Sequence, residues 1–240
     1  MAGAVCAAPA IPQPLYQHRL NHHPDGIGKV YFGREIAQIM GHQGAGWLER
    51  PSRSFEEQPM QVIAALGLRP TDVVADVGAG TGYFSVRMSP LLPEGKVLAI
   101  DIQPEMVELL TFHLQERGIT NVEPILGTAT DPKLPPEGVD LALMVDAYHE
   151  FEYPYEMMQA IVRSLKPGGR VVLVEYRGEN PFIPIKSLHK MTQRQVKREM
   201  AAVGLRWVET KNILPQQHIL IMEKPVPAAT QRITSELSKL

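Results

Sequence analysis

Three alternate glycines between an apolar strand and a helix constrain this chain more than any other feature. Val73-Val74-Ala75-Asp76-Val77 is apolar apart from one carboxylate, which predicts a strand buried on both faces. It runs into Gly78-Ala79-Gly80-Thr81-Gly82 and then Tyr83-Phe84, where the spacing of Phe84, Met88 and Leu91 predicts a helix. Glycine in such a turn permits left-handed backbone and lets a ligand approach the main chain, while the helix N-terminus offers unpaired N–H groups. The turn therefore predicts an open α/β sheet with a ligand at the carboxyl ends of its strands.

The rest of the pattern agrees. Further strands are expected at Val97–Asp101, Val122–Leu126, Leu141–Val145 and Val171–Glu175. Between them, Met106, Leu110 and Leu114, then Met158, Ile161, Val162 and Leu165, repeat at helical spacing. Pro104 suits a first helical position, Gly118 a helix end, and Lys166-Pro167-Gly168-Gly169 a stop. Thr192-x-x-Gln195 reads as a capping box opening a helix that ends at Gly204. Leu205–Thr210 and His218–Glu223 are too closely joined for a parallel crossover, so they form an antiparallel hairpin. The expected fold is a doubly wound, mostly parallel, seven-stranded Rossmann-like sheet with a C-terminal antiparallel hairpin and an N-terminal helical extension. Residues 70–224 make that domain. Residues 15–69 are read as the helical extension or lid, with helices over Arg34–Met40 and Phe55–Leu66 broken by Gly41–Gly46; residues 1–14 and 225–240 are read as a flexible lead-in and tail.

Asp101 closes the strand after the glycine turn, where a carboxylate accepts both hydroxyls of a ribose or caps the helix that follows. A dinucleotide turn wants its third glycine at position 83, and this chain has Tyr83 there; no Gly-Lys-Ser/Thr follows, so the turn is not a P-loop. Asp76, two residues before the loop, repels a pyrophosphate and suits a ligand bearing an ammonium and a sulfonium.

These segments resemble the class I S-adenosylmethionine-dependent methyltransferases. VADVGAGTGYFS is similar to that family's first motif, VLAIDIQPEM to its second, MVDAYHEF to the close of its fourth strand, and LKPGGRVVLVEY to its fifth-strand motif. The set looks most like the small-molecule branch, which includes quinone methyltransferases. The resemblance implies S-adenosyl-L-methionine as cofactor, with Asp76, Gly78, Gly80, Gly82, Tyr83 and Asp146 around its methionine end, Asp101 on the ribose, and Ile102 and Met106 on the adenine. The acidic residue the family often carries after its third strand is replaced by Gly127-Thr128-Ala129-Thr130-Asp131, leaving Thr128, Ala129 or Asp131 to meet the adenine amino group.

Asp146, Tyr148, His149 and Glu150 follow the fourth strand, and Glu175, Tyr176 and Arg177 the fifth, so an acceptor would meet the methyl group there. His149 is expected to be the general base or acceptor-orienting residue because imidazole titrates near neutrality, with Tyr148 beside it. His149, Glu150 and Glu175 are not read as a metal site, nor are the scattered His18, His22, His23 and His42. Arg50, Arg53, Glu56 and Glu57 are expected to be a solvated charge cluster, and Lys186, Lys190, Arg194, Lys197 and Arg198 a solvated helix face.

Composition excludes several classes. A net charge of −2 gives no bulk reason to bind nucleic acid, and the motif after strand four lacks the proline-rich tetrad of methyltransferases that act on base amino groups. The single cysteine, Cys6, excludes an internal disulfide and chemistry needing several thiolates. No apolar run is long enough to span a membrane, and the N-terminus lacks a basic and a long apolar region, so the expected location is cytoplasmic, with export of a trimmed chain as the alternative. The reading is methyl transfer to a small-molecule acceptor. The alternatives are a nicotinamide-dependent oxidoreductase and a non-catalytic nucleoside-binding regulatory protein.

Overall fold

The computed structural model describes residues 14–226, and its first element departs from the expected helical extension. Strands β1 (Tyr16–His18), β2 (Gly26–Tyr31) and β3 (Arg34–Ala37) pair antiparallel in the order β1-β2-β3. The expected helix over Arg34–Met40 is thus a strand. Its cause is the turn before it: Phe32 and Gly33 both have positive φ (47° and 89°), the two-residue hairpin turn whose twist matches paired strands. Phenylalanine rarely takes that conformation, so the sequence carries no ordinary turn signal.

Three short helices follow: α1 (Ala45–Leu48), α2 (Arg53–Glu56) and α3 (Pro59–Leu66). The single helix expected over Phe55–Leu66 is divided, because Pro59 disfavours helical backbone at Gln58, which sits at φ 49°. Gly67 ends α3 in the left-handed conformation. The extension's small apolar cluster of Tyr31, Phe32 and Ile36 is completed by Tyr155 and Ala202 from the main domain.

Beyond residue 70 the alternation holds. The elements are β4 (Val73–Val77), α4 (Tyr83–Met88), β5 (Lys96–Asp101), α5 (Pro104–Glu116), β6 (Val122–Leu126), β7 (Val139–Val145), α6 (Pro154–Ser164), β8 (Leu165–Arg177), the two-residue β9 (Lys190–Met191), α7 (Gln193–Ala202), β10 (Arg206–Lys211) and β11 (Gln217–Glu223). The sheet order is β10-β11-β8-β7-β4-β5-β6, with β9 paired to β8. Strands β4 to β8 run parallel, and β11 and β10 are antiparallel, so the expected terminal hairpin is present. Thr192 caps α7 by accepting the Gln195 backbone N–H at 3.2 Å.

Alternation along each strand divides the core. Val97 and Ala99 of β5 join Val62, Phe84, Leu110 and Leu114 on the face covered by α3, α4 and α5. Leu98 and Ile100 join Met157, Ile161, Val196 and Met200 on the face covered by α6 and α7. The chain leaves β4 to build β5 and β6 on one side, then returns to build β7 and β8 on the other. That reversal opens a crevice beyond the carboxyl ends of β4 and β7. Among the described residues, no helix is long and apolar enough to cross a membrane.

Candidate active site

The crevice is the floor of a cavity of about 850 Å³. One half is made chiefly of backbone. Gly78 (φ +79°) and Gly80 (φ +55°) line it, and a Cβ at either would come within 2.7 Å of a neighbour, Ala147 or Leu48. Asp101 is buried with both carboxylate oxygens engaged: Oδ2 accepts the Gly80 N–H and Oδ1 the Gln103 N–H, each at 2.9 Å. A carboxylate has about four acceptor positions, so two remain for hydroxyls of a ligand. Ribose binding and bracing of the backbone at Gly80 and Gln103 are therefore compatible roles for this residue. Burial also raises the Asp101 carboxyl above its ordinary value.

Ile102, Met106 and Ala129 line the same half. Asp146 does too, at φ 49°; its Oδ2 accepts from Gln217 Nε2 at 2.6 Å, while its Oδ1 is buried with no hydrogen-bond partner. Burial, with the charges of Glu57 and Glu175, raises the Asp146 carboxyl well above the usual range. An ammonium group of a ligand would satisfy that unpaired oxygen and favour its ionised form.

Other expected cofactor residues stand behind the wall. Asp76 is buried beneath the turn, taking the Ser85 hydroxyl at 2.6 Å, and burial pushes its carboxyl up to about 6. Gly82 allows the close approach of Leu110, and the Tyr83 ring lies under Arg53. Thr128 is exposed and accepts the Asp131 backbone N–H, while the Asp131 carboxylate pairs with Lys133. None of these four, nor Asp131, lines the cavity.

The second half is built from side chains of the N-terminal sheet and of loops after β7 and β8. Lys29, nearly fully buried, has its ammonium over the ring of Tyr153 at 3.2 Å and of Tyr16 at 4.2 Å, and desolvation lowers its pKa. Ile27, Ile39, Phe151 and Ile185 add apolar wall. His149 lies in a 3-10 turn, Tyr148–Glu150, 1% exposed. Its Nδ1 is 2.7 Å from Glu175 Oε2 and its Nε2 2.9 Å from His189 Nδ1. Burial pushes the His149 imidazolium down to about 3 and the Glu175 carboxyl up to about 8, so both are held neutral near pH 7. The expectation that His149 titrates near neutrality is thereby corrected: desolvation outweighs its acidic neighbours, and both ring nitrogens are engaged.

Tyr148 is also corrected. Its hydroxyl donates to Glu199 Oε2 at 2.6 Å, away from the cavity, where Glu199 also pairs with Arg34 at 2.8 Å. The expected solvated cluster is a third correction. Arg53 and Glu57 are buried and paired at 2.7 Å; Glu57 also takes Arg50 at 2.6 Å and the Tyr176 hydroxyl at 3.1 Å. Sequence reasoning missed Lys29, Met40, Gln103, Asp25 and His189, all lining the cavity. Only their chemistry was visible; the hairpin that brings β2 over the crevice was not.

With this geometry established, comparison with known proteins identifies the class. The family model described as "Methyltransferase domain" matches residues 68–231, and the chain belongs to that family. An uncharacterised methyltransferase-like protein of Schizosaccharomyces pombe is 32% identical over 139 residues, covering 58% of this chain and 52% of that one. A ubiquinone/menaquinone biosynthesis C-methyltransferase of Pseudomonas putida is 29% identical over 116 residues, covering 48% and 45%. The chain thus spans about half the length of these curated relatives. A crystal structure of a SAM-dependent methyltransferase from Aquifex aeolicus superposes with a TM-score of 0.73 at 24% identity, over 78% of this chain and all of that one, a likeness of fold. Membership of the methyltransferase family bears out S-adenosylmethionine as the cofactor class.

Proposed function

We propose that this chain transfers the methyl group of S-adenosylmethionine to a small-molecule acceptor. The observation that carries the reading is one continuous cavity, which joins Gly80 and Asp101 to an apolar and cationic compartment at Lys29, Tyr153 and His149. Its volume of about 850 Å³ lies near the top of the roughly 300–1,000 Å³ usual for ligand sites, which suits two small molecules side by side. The quinone-pathway relative named above acts on carbon, so an aromatic acceptor is consistent with the aromatic lining of Tyr153 and Phe151.

The cofactor supplies an electrophilic methyl on a sulfonium. Transfer is an in-line displacement, so this chain's residues chiefly bind and orient. Asp101 takes the ribose, Gly78 and Gly80 admit the methionine end against backbone, and the free Asp146 Oδ1 receives the ammonium. His149, pinned between Glu175 and His189, orients the acceptor compartment. Calorimetric titration tests the cofactor: S-adenosylhomocysteine should bind one per chain and raise Tm, with no response to NAD. Tight NAD binding with no response to S-adenosylhomocysteine would overturn it. Incubation with labelled S-adenosylmethionine and a small-molecule extract, against the same extract's macromolecular fraction, tests the acceptor class. Label entering only macromolecules rejects a small acceptor.

A further inference from the structure

We propose that His149, His189 and Glu150 form a binding site for one first-row divalent transition-metal ion, such as zinc or iron(II), in the acceptor half of the cavity. The site is independent of which molecule accepts the methyl group.

The argument begins with three donor atoms. His149 Nε2 lies 2.9 Å from His189 Nδ1, His189 Nδ1 lies 3.3 Å from Glu150 Oε1, and Glu150 Oε1 lies 3.8 Å from His149 Nε2. Ligands about 2.1 Å from an ion stand about 3.0 Å apart at octahedral angles and about 3.4 Å at tetrahedral ones, and the observed separations straddle both. A triangle with these sides has a circumradius of about 2.0 Å, so an ion just off its plane sits at bonding distance, about 2.1 Å, from all three corners. The three spacings alone therefore admit an ion at bonding distance.

Each ligand is also held from behind, as metal ligands commonly are. Glu175 Oε2 is 2.7 Å from the far nitrogen of His149, and Asp25 Oδ2 is 3.0 Å from the far nitrogen of His189. Asp25 Oδ2 and His189 Nε2 are both buried and meet only in this ion-pair contact, outside hydrogen-bond geometry, among the described residues. The second oxygen of Glu150 accepts the Met40 N–H at 3.1 Å. Two histidines with carboxyls on their outer nitrogens, and a carboxylate tied to backbone, make an oriented set rather than a chance meeting. The three come from two segments far apart in sequence: His149 and Glu150 from the turn after β7, His189 from the turn before β9. All three line the cavity, so the remaining coordination positions are reached from it. Two imidazoles with one carboxylate suit zinc, iron(II), cobalt(II) or manganese(II).

The test uses the full chain stripped with chelator, then titrated with zinc chloride by calorimetry and with cobalt(II) by visible absorption. One ion per chain is expected, with cobalt ligand-field bands. His189→Ala should weaken zinc at least 100-fold and abolish the cobalt bands; Asp25→Asn should weaken it tenfold to 100-fold while leaving both histidines in place. Melting and near-ultraviolet dichroism establish that each variant is folded. Should His149→Ala fail to fold, His189→Ala at the cavity edge and Glu150→Gln carry the test. Absence of saturable binding at one ion per chain overturns the proposal. So does binding unchanged in both His189→Ala and Glu150→Gln, which would place the ion on exposed histidines such as His22 and His23.

Discussion

The two halves of the cavity are built on different principles. The nucleotide half rests on backbone: left-handed glycines, a helix N-terminus and one carboxylate whose oxygens hold Gly80 and Gln103. The acceptor half rests on side chains from strands and turns far apart in sequence, with Lys29, Glu57, Glu150 and His189 all needing partners. Backbone recognition depends on local geometry and is shared by any chain that forms the turn. Side-chain recognition depends on long-range packing.

Breaking the buried ion network should have the largest effect. Glu57→Ala leaves Arg53 buried and Arg50 half-buried without their shared carboxylate, which costs about 3–5 kcal/mol for an unpaired buried charge. At roughly 2–4 °C per kcal/mol for a chain of this size, a melt should show Tm lower by about 10 °C. A loss under about 2 °C would mean the pairs behave as surface pairs, and the contrast between the halves would fail.

Asp101→Ala is next. Loss of its charge-assisted bonds should weaken S-adenosylhomocysteine by roughly tenfold or more, from about 1.5–3 kcal/mol. Because Asp101 also holds Gly80 and Gln103, Tm should fall as well, by a smaller margin. Unchanged affinity with reduced Tm would leave it as a backbone brace alone.

Asp76 sharpens the comparison through pH. Its folded carboxyl sits at about 6, above the ordinary 3.8, so the folded chain holds this proton more tightly than the unfolded chain. The stability it contributes is fully present below about pH 4 and is lost as pH rises through about 6. Asp76→Asn, which can still accept from Ser85, should therefore gain on the wild type between pH 4 and pH 8, by on the order of 3 kcal/mol. Denaturant melts across that range should show the gap opening above about pH 4 and levelling off above about pH 6. A gap that closes as pH rises would reverse the sign and remove the burial argument.

Thr192→Ala gives the smallest effect and serves as the control. Loss of the α7 cap should cost about 1 kcal/mol and leave S-adenosylhomocysteine affinity unchanged.

What was legible in the sequence follows the same division. Strands β4 to β8, the terminal hairpin, the Thr192 cap and the glycine turn rest on periodicity and punctuation, which act over a few residues. Asp101 and Asp146 could be placed because they end strands. The strand Arg34–Ala37 was hidden because its hairpin turn uses Phe32 at positive φ. His189 and Asp25 were invisible as partners of His149 because only the packing of the N-terminal sheet joins them. Tyr148 and His149 are adjacent, yet the tight turn sends one to Glu199 and the other to the cavity, a divergence no residue pattern announces.

The Phe32 turn has a consequence for synthesis. Its carbonyl accepts from Gln195 Nε2 at 3.2 Å, and the neighbouring Arg34 closes on Glu199, so these strands are fastened to a helix whose Gln195 is made 163 residues after Phe32. At roughly 5–20 residues per second, a ribosome needs on the order of ten to thirty seconds to travel between those partners. Through that interval the sheet from β4 to β6 already has its local contacts, while the first strands wait for α7. On the ribosome the glycine turn and Asp101 can meet before the N-terminal strands find α7, whereas Asp146 still waits for Gln217 of β11.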